Sequence, residues 1–291
     1  MTVEETWTVK RLLNWTQDFF QKKEIEKPRL EAEILLAHAM NIKRIGLYTV
    51  FESEPTEAQR SVYRDFVKRR GNGEPAAYLT GFKEFYSLPF HVNPNVLIPR
   101  PETEDLVLLA LDTIKTYPAP PNIADVGTGS GIIAVALAKN MPKHLTASNI
   151  IAVDISMPAL DIARTNAELN GVTGRINFRH SDLLEHVPEM LDIVVCNLPY
   201  VSQSEYDELP KDVKNYEPQT ALLSGTTGTE IIERLITQSA TRLRPGGYLL
   251  MEVSPMIAVK VEKLLFGWSD VQILLDSMGR QRIVYGRTGQ C

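Results

Sequence analysis

Ile123-Ala-Asp-Val-Gly-Thr-Gly-Ser-Gly131 decides how this chain is read: an apolar strand-length run enters a turn with glycine at 127, 129 and 131, and an apolar helix-length stretch follows. Glycine permits a tight turn and lets a ligand approach the backbone closely. From residue 122 onward, strand-like and helix-like segments alternate at βα spacing, which predicts an α/β fold with a mostly parallel sheet and helices on both faces. Seven strands are predicted, at 123–127, 149–154, 176–182, 191–197, 247–253, 271–276 and 281–286. No clear helix separates the last two, so they are expected to close the Rossmann-like sheet as an antiparallel hairpin. Ser156 can cap the helix that runs to Asn170, with Pro158 in its first turn and Gly171 ending it.

In such a sheet, ligands bind outside the carboxyl ends of the strands, near the switch in strand order. Gly127, Thr128, Gly129, Ser130 and Gly131 occupy the first of these ends. Asp154 ends the second strand, where its carboxylate can accept both hydroxyls of a ribose. Asp182 ends the third and can meet an adenine amino group, with Leu183 as an apolar neighbour for the ring. Two acids at successive strand ends favour an adenosine ligand. NAD fits less well, because Ile132 stands where G-x-G-x-x-G requires glycine, and no hydride-transfer constellation accompanies the loop. Asp125 suits a positively charged, sulfonium-bearing amino acid, so S-adenosylmethionine is the expected cofactor. A phosphate-loop NTPase is excluded, since no lysine follows Gly131.

The fourth strand, Leu191-Asp-Ile-Val-Val-Cys196, leads into Asn197-Leu198-Pro199-Tyr200. An Asn carboxamide at a strand end, followed by proline and an aromatic ring, suits the grip of a planar NH2 group. With the glycine-rich turn upstream, this combination suggests methyl transfer to nitrogen.

Before the sheet, residues 1–73 read as a helical domain. Leu12, Trp15, Phe19 and Phe20 form one apolar stripe, Ala32, Leu35, Leu36, Ala39 and Met40 a second, and Ala58, Val62 and Phe66 a third. The last of these helices ends in Lys68-Arg-Arg70, where cations complement a helix C-terminus. Residues 74–97 are expected to form a β-hairpin linker around Phe85-Tyr-Ser-Leu-Pro-Phe-His-Val92, and residues 98–291 the catalytic domain. In Ile98-Pro-Arg-Pro-Glu-Thr-Glu104, two prolines fix the backbone around Arg100 and could aim Arg100 and Glu102 at a substrate. The polar stretch from Tyr200 to Gly228 lacks periodicity and reads as a flexible lid.

Composition narrows the classes. A net charge of -5, with 14 basic and 13 acidic residues before position 98, argues against binding dominated by nucleic-acid phosphates. Cys196 and Cys291 offer neither a disulfide framework nor metal-ligand spacing, and the five histidines are scattered, so no metal is expected. His180 and His186 read as surface or packing residues. Glu4, Glu5, Lys10, Arg11 and Asp18 interrupt the first twenty residues, which excludes a signal peptide. No apolar run reaches the roughly 20 residues of a membrane span. A cytoplasmic monomer is expected.

With these segments in view, the chain resembles the class I S-adenosylmethionine-dependent methyltransferases, and more closely the protein glutamine-N5 methyltransferases that modify peptide chain release factors. The resemblance spans nearly the whole chain. It rests on the helical N-terminal module, Leu97-Ile-Pro-Arg-Pro-Glu-Thr-Glu104, Asp125-Val-Gly-Thr-Gly-Ser-Gly131, Ala152-Val-Asp154, Asn197-Leu-Pro-Tyr200 and Tyr216-Glu-Pro-Gln-Thr-Ala-Leu-Leu-Ser-Gly225. It implies a glutamine in a Gly-Gly-Gln loop as methyl acceptor, S-adenosylhomocysteine as product and the N-terminal module as the docking site for the release factor. It also implies that Asn197 and the Leu198 carbonyl accept the two amide hydrogens, that Pro199 holds the turn and that Tyr200 packs on the amide plane. Leu198 departs from the family's Asn-Pro-Pro-Tyr pattern: the carbonyl survives, while the fixed φ of proline is lost. The competing readings are an adenine-N6 nucleic-acid methyltransferase, which lacks a basic groove here, and an inactive S-adenosylmethionine-binding regulatory module.

Overall fold

Threonine caps and apolar stripes build the first of two units in the computed structural model, which describes residues 6–289. Thr8 accepts from the Arg11 N–H to open α1 (Val9–Lys22), and Pro28 opens α2 (Pro28–Ala39). Thr56 and Gln59 form a capping box at the head of α3 (Glu57–Gly71), and the short α4 (Ala76–Thr80) stops at Gly81, with φ 73°. Leu13, Phe20, Leu35, Leu36 and Leu47 are buried in this unit's core. The buried face of α3 is Tyr63, Val67 and Arg70, whereas Ala58 and Val62 of the predicted stripe are exposed. Arg70 reaches this core by pairing with Glu31.

The second unit begins at Phe82. Its hairpin, β1 (Phe82–Phe85) and β2 (Leu88–His91), turns through Tyr86 and Ser87, both at positive φ as a tight two-residue hairpin requires. After α5 (Thr103–Lys115) come β3 (Asn122–Val126), α6 (Ile132–Asn140), β4 (Asn149–Asp154), α7 (Met157–Leu169), β5 (Ile176–His180) and β6 (Leu191–Cys196). Ser156 and a proline in the first turn start α7 as expected. The fully buried Asn166 on α7 accepts from His91 N at 2.6 Å and donates to the His91 carbonyl at 3.0 Å and the Ser130 carbonyl at 2.8 Å. One carboxamide thus ties the hairpin to the glycine turn.

The stretch after Tyr200 is not a structureless loop. It carries β7 (Val201–Ser202), α8 (Gln203–Asp207), α9 (Lys211–Tyr216) and β8 (Leu223–Gly225), with a Ser202–Glu205 capping box and a parallel β7–β8 pairing. These elements are too short to leave a periodic signal. The chain finishes through α10 (Glu230–Arg242), β9 (Leu243–Glu252), α11 (Ala258–Leu264), β10 (Ser269–Leu275) and β11 (Gln281–Arg287).

The seven-stranded sheet has the order β10-β11-β9-β6-β3-β4-β5. Strands β9, β6, β3, β4 and β5 are parallel, and β11 runs antiparallel to both its neighbours, so the predicted closing hairpin is present. Alternation along the strands divides the core. Ile123, Ile193 and Val195 join Leu106, Ala134 and Leu137 on one face; Ala124, Val126, Val194 and Cys196 join Ile232, Leu235 and Val261 on the other. Near-continuous apolar strands follow from this two-sided burial.

Candidate active site

Because β6, β3, β4 and β5 lie side by side and parallel, their carboxyl ends open on one edge in the order Asn197, Gly127, Asp154 and Asp182. The chain leaves β3 toward β4 and β5, then returns to β6 on the opposite side of β3. That reversal is the switch point at which such sheets bind ligands. A cleft opens there, lined by residues from all four strand ends, by Asn95, Val96, Leu97, Pro99 and Arg100, and by Pro218, Thr220 and Ala221.

The glycine turn forms its floor. Gly127 and Gly129 have φ of 72° and 55°, and the side of Gly129 where a side chain would stand is open apart from the Gly127 carbonyl at 4.0 Å. Thr128 and Ser130 line the cleft with them. Gly131 does not: a β-carbon there would stand 3.1 Å from that of Ala163, so this glycine lets α6 approach α7.

Asp125 also lies outside the lining. Its carboxylate is wholly buried, with Oδ2 accepting from Thr128 Oγ1 at 2.6 Å and Ala134 N at 3.0 Å, while Oδ1 has no partner. Burial pushes this carboxyl up to about 7 against the pull of those two bonds, and the nearby Asp154 adds to the rise. Asp125 therefore braces the turn against the N-terminal end of α6 from behind the cleft lining.

Asp154 does line the cleft. Its Oδ2 accepts from Gly129 N at 2.8 Å and its Oδ1 from Ser156 N at 2.9 Å, so each oxygen keeps lone-pair capacity for a hydroxyl. Burial raises its carboxyl despite the N–H bonds from Ser156, Gly129 and Ile155. Asp182 lines the far end, but Arg234 Nη2 holds its Oδ2 at 2.7 Å, which leaves Oδ1 for a ligand. Leu183 follows at φ 52°, a costly conformation for leucine, and presents a buried apolar surface at the cleft.

At the β6 end, Asn197 Nδ2 donates to Thr103 Oγ1 at 3.1 Å, and no described residue donates to Asn197 Oδ1. Leu198 and Pro199 line the cleft beside it. Tyr200 lies beyond the lining, packed against the core that contains Leu198 and Val253; burial first, and Glu252 second, push its hydroxyl up to about 12. Arg100 lines the cleft and its Nη2 meets Glu217 Oε1 at 2.5 Å, while Glu217 Oε2 accepts from Ile98 N at 3.2 Å. Glu102 is turned elsewhere, paired with Arg280 at 2.9 Å.

The sequence reading missed Thr103, Arg234 and the role of Glu217 as the clasp of Arg100. Among the described residues, no group of three His, Cys, Asp or Glu side chains could hold a metal ion. The site does fit an adenosine-bearing cation: glycines clear the floor, an acid with spare lone pairs stands at the second strand end, and an apolar surface follows at the third.

Comparison with known proteins gives the family. Residues 11–81 match the model of the PrmC N-terminal domain, and residues 101–215 match that of ribosomal protein L11 methyltransferase. A release factor glutamine methyltransferase of Rhodopirellula baltica is 50% identical over 96% of this chain and 95% of its own length. A protein of the same name from Koribacter versatilis is 39% identical, covering 96% and 98%. The solved catalytic domain of hMettl16, in complex with an RNA hairpin, superposes with a TM-score of 0.58 at 18% identity over 79% of this chain and 89% of its own, a likeness of fold alone. With half its residues shared along nearly its whole length, the chain belongs to the release factor glutamine methyltransferase family.

Proposed function

We infer that this chain transfers a methyl group from S-adenosylmethionine to the side-chain amide nitrogen of the glutamine in the Gly-Gly-Gln loop of a peptide chain release factor, leaving S-adenosylhomocysteine. The observation that carries this reading is the Asn197 carboxamide: its NH2 is engaged by Thr103, and its Oδ1 is left to accept at the cleft. S-adenosylmethionine, when bound, supplies a methyl group on an electrophilic sulfonium. Gly127, Thr128, Gly129 and Ser130 would hold its amino-acid portion, Asp154 its ribose, and Asp182 with Leu183 its adenine.

The protein's own task is set by the acceptor. An amide nitrogen is a weak nucleophile, since its lone pair is shared with the carbonyl, so orientation and electrostatics must supply the rate. Asn197 Oδ1 and the Leu198 carbonyl accept the two N–H hydrogens of the glutamine amide. They fix its plane and stabilise the positive charge that grows on nitrogen. Pro199 restricts the backbone after the second acceptor. Tyr200 supports the turn from the apolar side, and Arg100, held by Glu217, contributes a cation at the cleft wall for the substrate backbone. The helical unit up to Gly81, which matches a family model of its own, is assigned the docking of the release factor. A monomer acting in the cytoplasm belongs to the same reading; no described helix is long and apolar enough to cross a membrane.

Incubation with methyl-labelled S-adenosylmethionine and a release factor tests this. Label is expected on the factor and absent when the glutamine of its Gly-Gly-Gln loop is replaced by alanine; equal labelling of both would reject the assignment.

A further inference from the structure

The helical unit has a groove of its own. A hollow of about 590 Å³ is walled by Trp7, Leu12, Trp15, Phe19, Tyr63 and Val67. Leu12, Trp15 and Phe19 on α1, and Tyr63 and Val67 on α3, stand three or four residues apart, so each helix contributes one ridge. Leu12, Tyr63 and Val67 are buried in the unit's core, whereas Trp15 is 51% exposed. Its ring lies on that of Phe19, with centroids 5.4 Å apart and planes 9° from parallel. The end of α3 backs Phe19 in turn, since a β-carbon on Gly71 would stand 2.8 Å from that ring. The aromatic wall is therefore set by the fold itself. Folding leaves half of Trp15 in water, and covering it is favourable.

Charge gives the occupant its sign. The lining holds four cations, Lys23, Arg60, Arg64 and Lys68, against one carboxylate, Glu57. Arg60 is engaged by Glu54 and Glu57. Arg64 reaches Glu57 only at 3.6 Å, and its side chain is 71% exposed. Among the described residues, no carboxylate lies within ion-pair range of Lys23 or Lys68. Lys23 Nζ stands 5.9 Å over the Phe19 ring, which sets a cation at the aromatic wall. The run Lys68-Arg-Arg70 is divided by the fold: Arg70 enters the core with Glu31, Arg69 pairs with Glu74 at 2.6 Å, and Lys68 lines the groove. Nucleic acid suits this surface less well. Basic and acidic residues nearly balance before position 98, and Trp15 and Phe19 close on each other, so no slot is left between the rings for a base.

We propose that this groove takes an acidic amphipathic helix of the release factor, whose large apolar side chains cover Trp15 and whose carboxylates pair with Lys23 from α1 and with Arg64 and Lys68 from α3. The inference rests on the reading of the helical unit as the docking site for the release factor. Two helical ridges receive a third helix through apolar anchors spaced three and four residues apart. Apolar burial supplies the lasting contact, and the three cations steer the approach and fix the orientation. The groove shares no residue with the methyl-transfer cleft.

Calorimetric titration of the full-length enzyme with a full-length release factor, in the presence of S-adenosylhomocysteine, tests the groove. Trp15→Ala is expected to raise Kd about tenfold or more, as the loss of an aromatic anchor does. Lys23→Glu combined with Lys68→Glu should raise Kd by a similar factor at low salt, with the gap to the wild type narrowing at high salt. Lys23→Arg with Lys68→Arg keeps the charges and restores binding. Lys43→Glu, exposed on the same unit but outside the groove, leaves Kd unchanged. Trp15 and both lysines are exposed, so melting curves close to that of the wild type are expected; should Trp15→Ala unfold, the lysine pair still decides. An unchanged Kd in the lysine pair, an equal loss in Lys43→Glu, or variants that lose binding of a single-stranded RNA oligonucleotide and not of the release factor would each overturn the proposal. A wild type that labels the factor while the variants leave Kd unmoved overturns the groove alone. One that binds through the groove and leaves the factor unlabelled overturns the glutamine reading alone.

Discussion

Leu198 rests on the glycine turn: a β-carbon built on Gly127 would stand 2.8 Å from Leu198 Cδ2. The contact joins the ends of β6 and β3 at the switch in strand order. It also explains how the chain accommodates leucine in place of the family's proline, since the side chain is 4% exposed and packs where Gly127 leaves room. Gly127→Ala meets this contact and a φ of 72° together. A loss of about 2–3 kcal/mol is expected from strain and overpacking, with weakened S-adenosylmethionine binding. Urea unfolding and calorimetry check both.

Leu198→Ala separates side chain from backbone. Removing a buried leucine side chain is expected to cost about 2–3 kcal/mol, whereas the carbonyl that accepts from the substrate stays in the chain. Methyl transfer at saturating substrates should therefore persist below the melting transition. Loss of turnover in a folded Leu198→Ala enzyme would show that the side chain, and not the carbonyl, does the work.

The Arg100–Glu217 pair clasps the segment before α5 to the one after α9. The Glu217 side chain is 2% exposed, so Arg100→Ala strands a buried carboxylate and is expected to destabilise by about 3 kcal/mol. Glu217→Gln keeps an acceptor for Ile98 N and should cost about 1 kcal/mol. Equal losses in the two variants, measured by denaturant unfolding, would contradict the ordering.

Asp125 makes stability depend on pH. Its carboxyl is raised from an ordinary 3.8 to about 7, so between those values the folded protein holds a proton that the unfolded chain has released. Stability from this group therefore falls as pH rises from about 4 to about 7 and is level above. Glu252 acts in the same sense. Asp125→Asn should reduce the slope without abolishing it; an identical slope in unfolding titrations would contradict the assignment.

The strand ends were legible because two-sided burial makes β3, β4 and β6 apolar runs that stop at Gly127, Asp154 and Asn197. The face of α3 was not: Arg70 lies on its buried side, neutralised by Glu31, and a pattern that counts arginine as polar places the stripe one residue away, on Ala58 and Val62. The burial of Asp125 was not legible for a related reason, since its spacing from the turn does not tell a buried side chain from one that lines the cleft. Thr103 left no signal, because its meaning arises only when α5 brings it to Asn197. The segment after Tyr200 hid its short elements for want of a full helical period.

The most direct measurement compares Asn197→Ala with the wild type in single-turnover methylation of a release factor, with S-adenosylmethionine affinity measured alongside. A rate lowered by about a hundredfold with cofactor affinity little changed is the expected result, because the acceptor that orients the amide is gone while the glycine turn and Asp154 remain. An unchanged rate would contradict the central role of the Asn197 carboxamide.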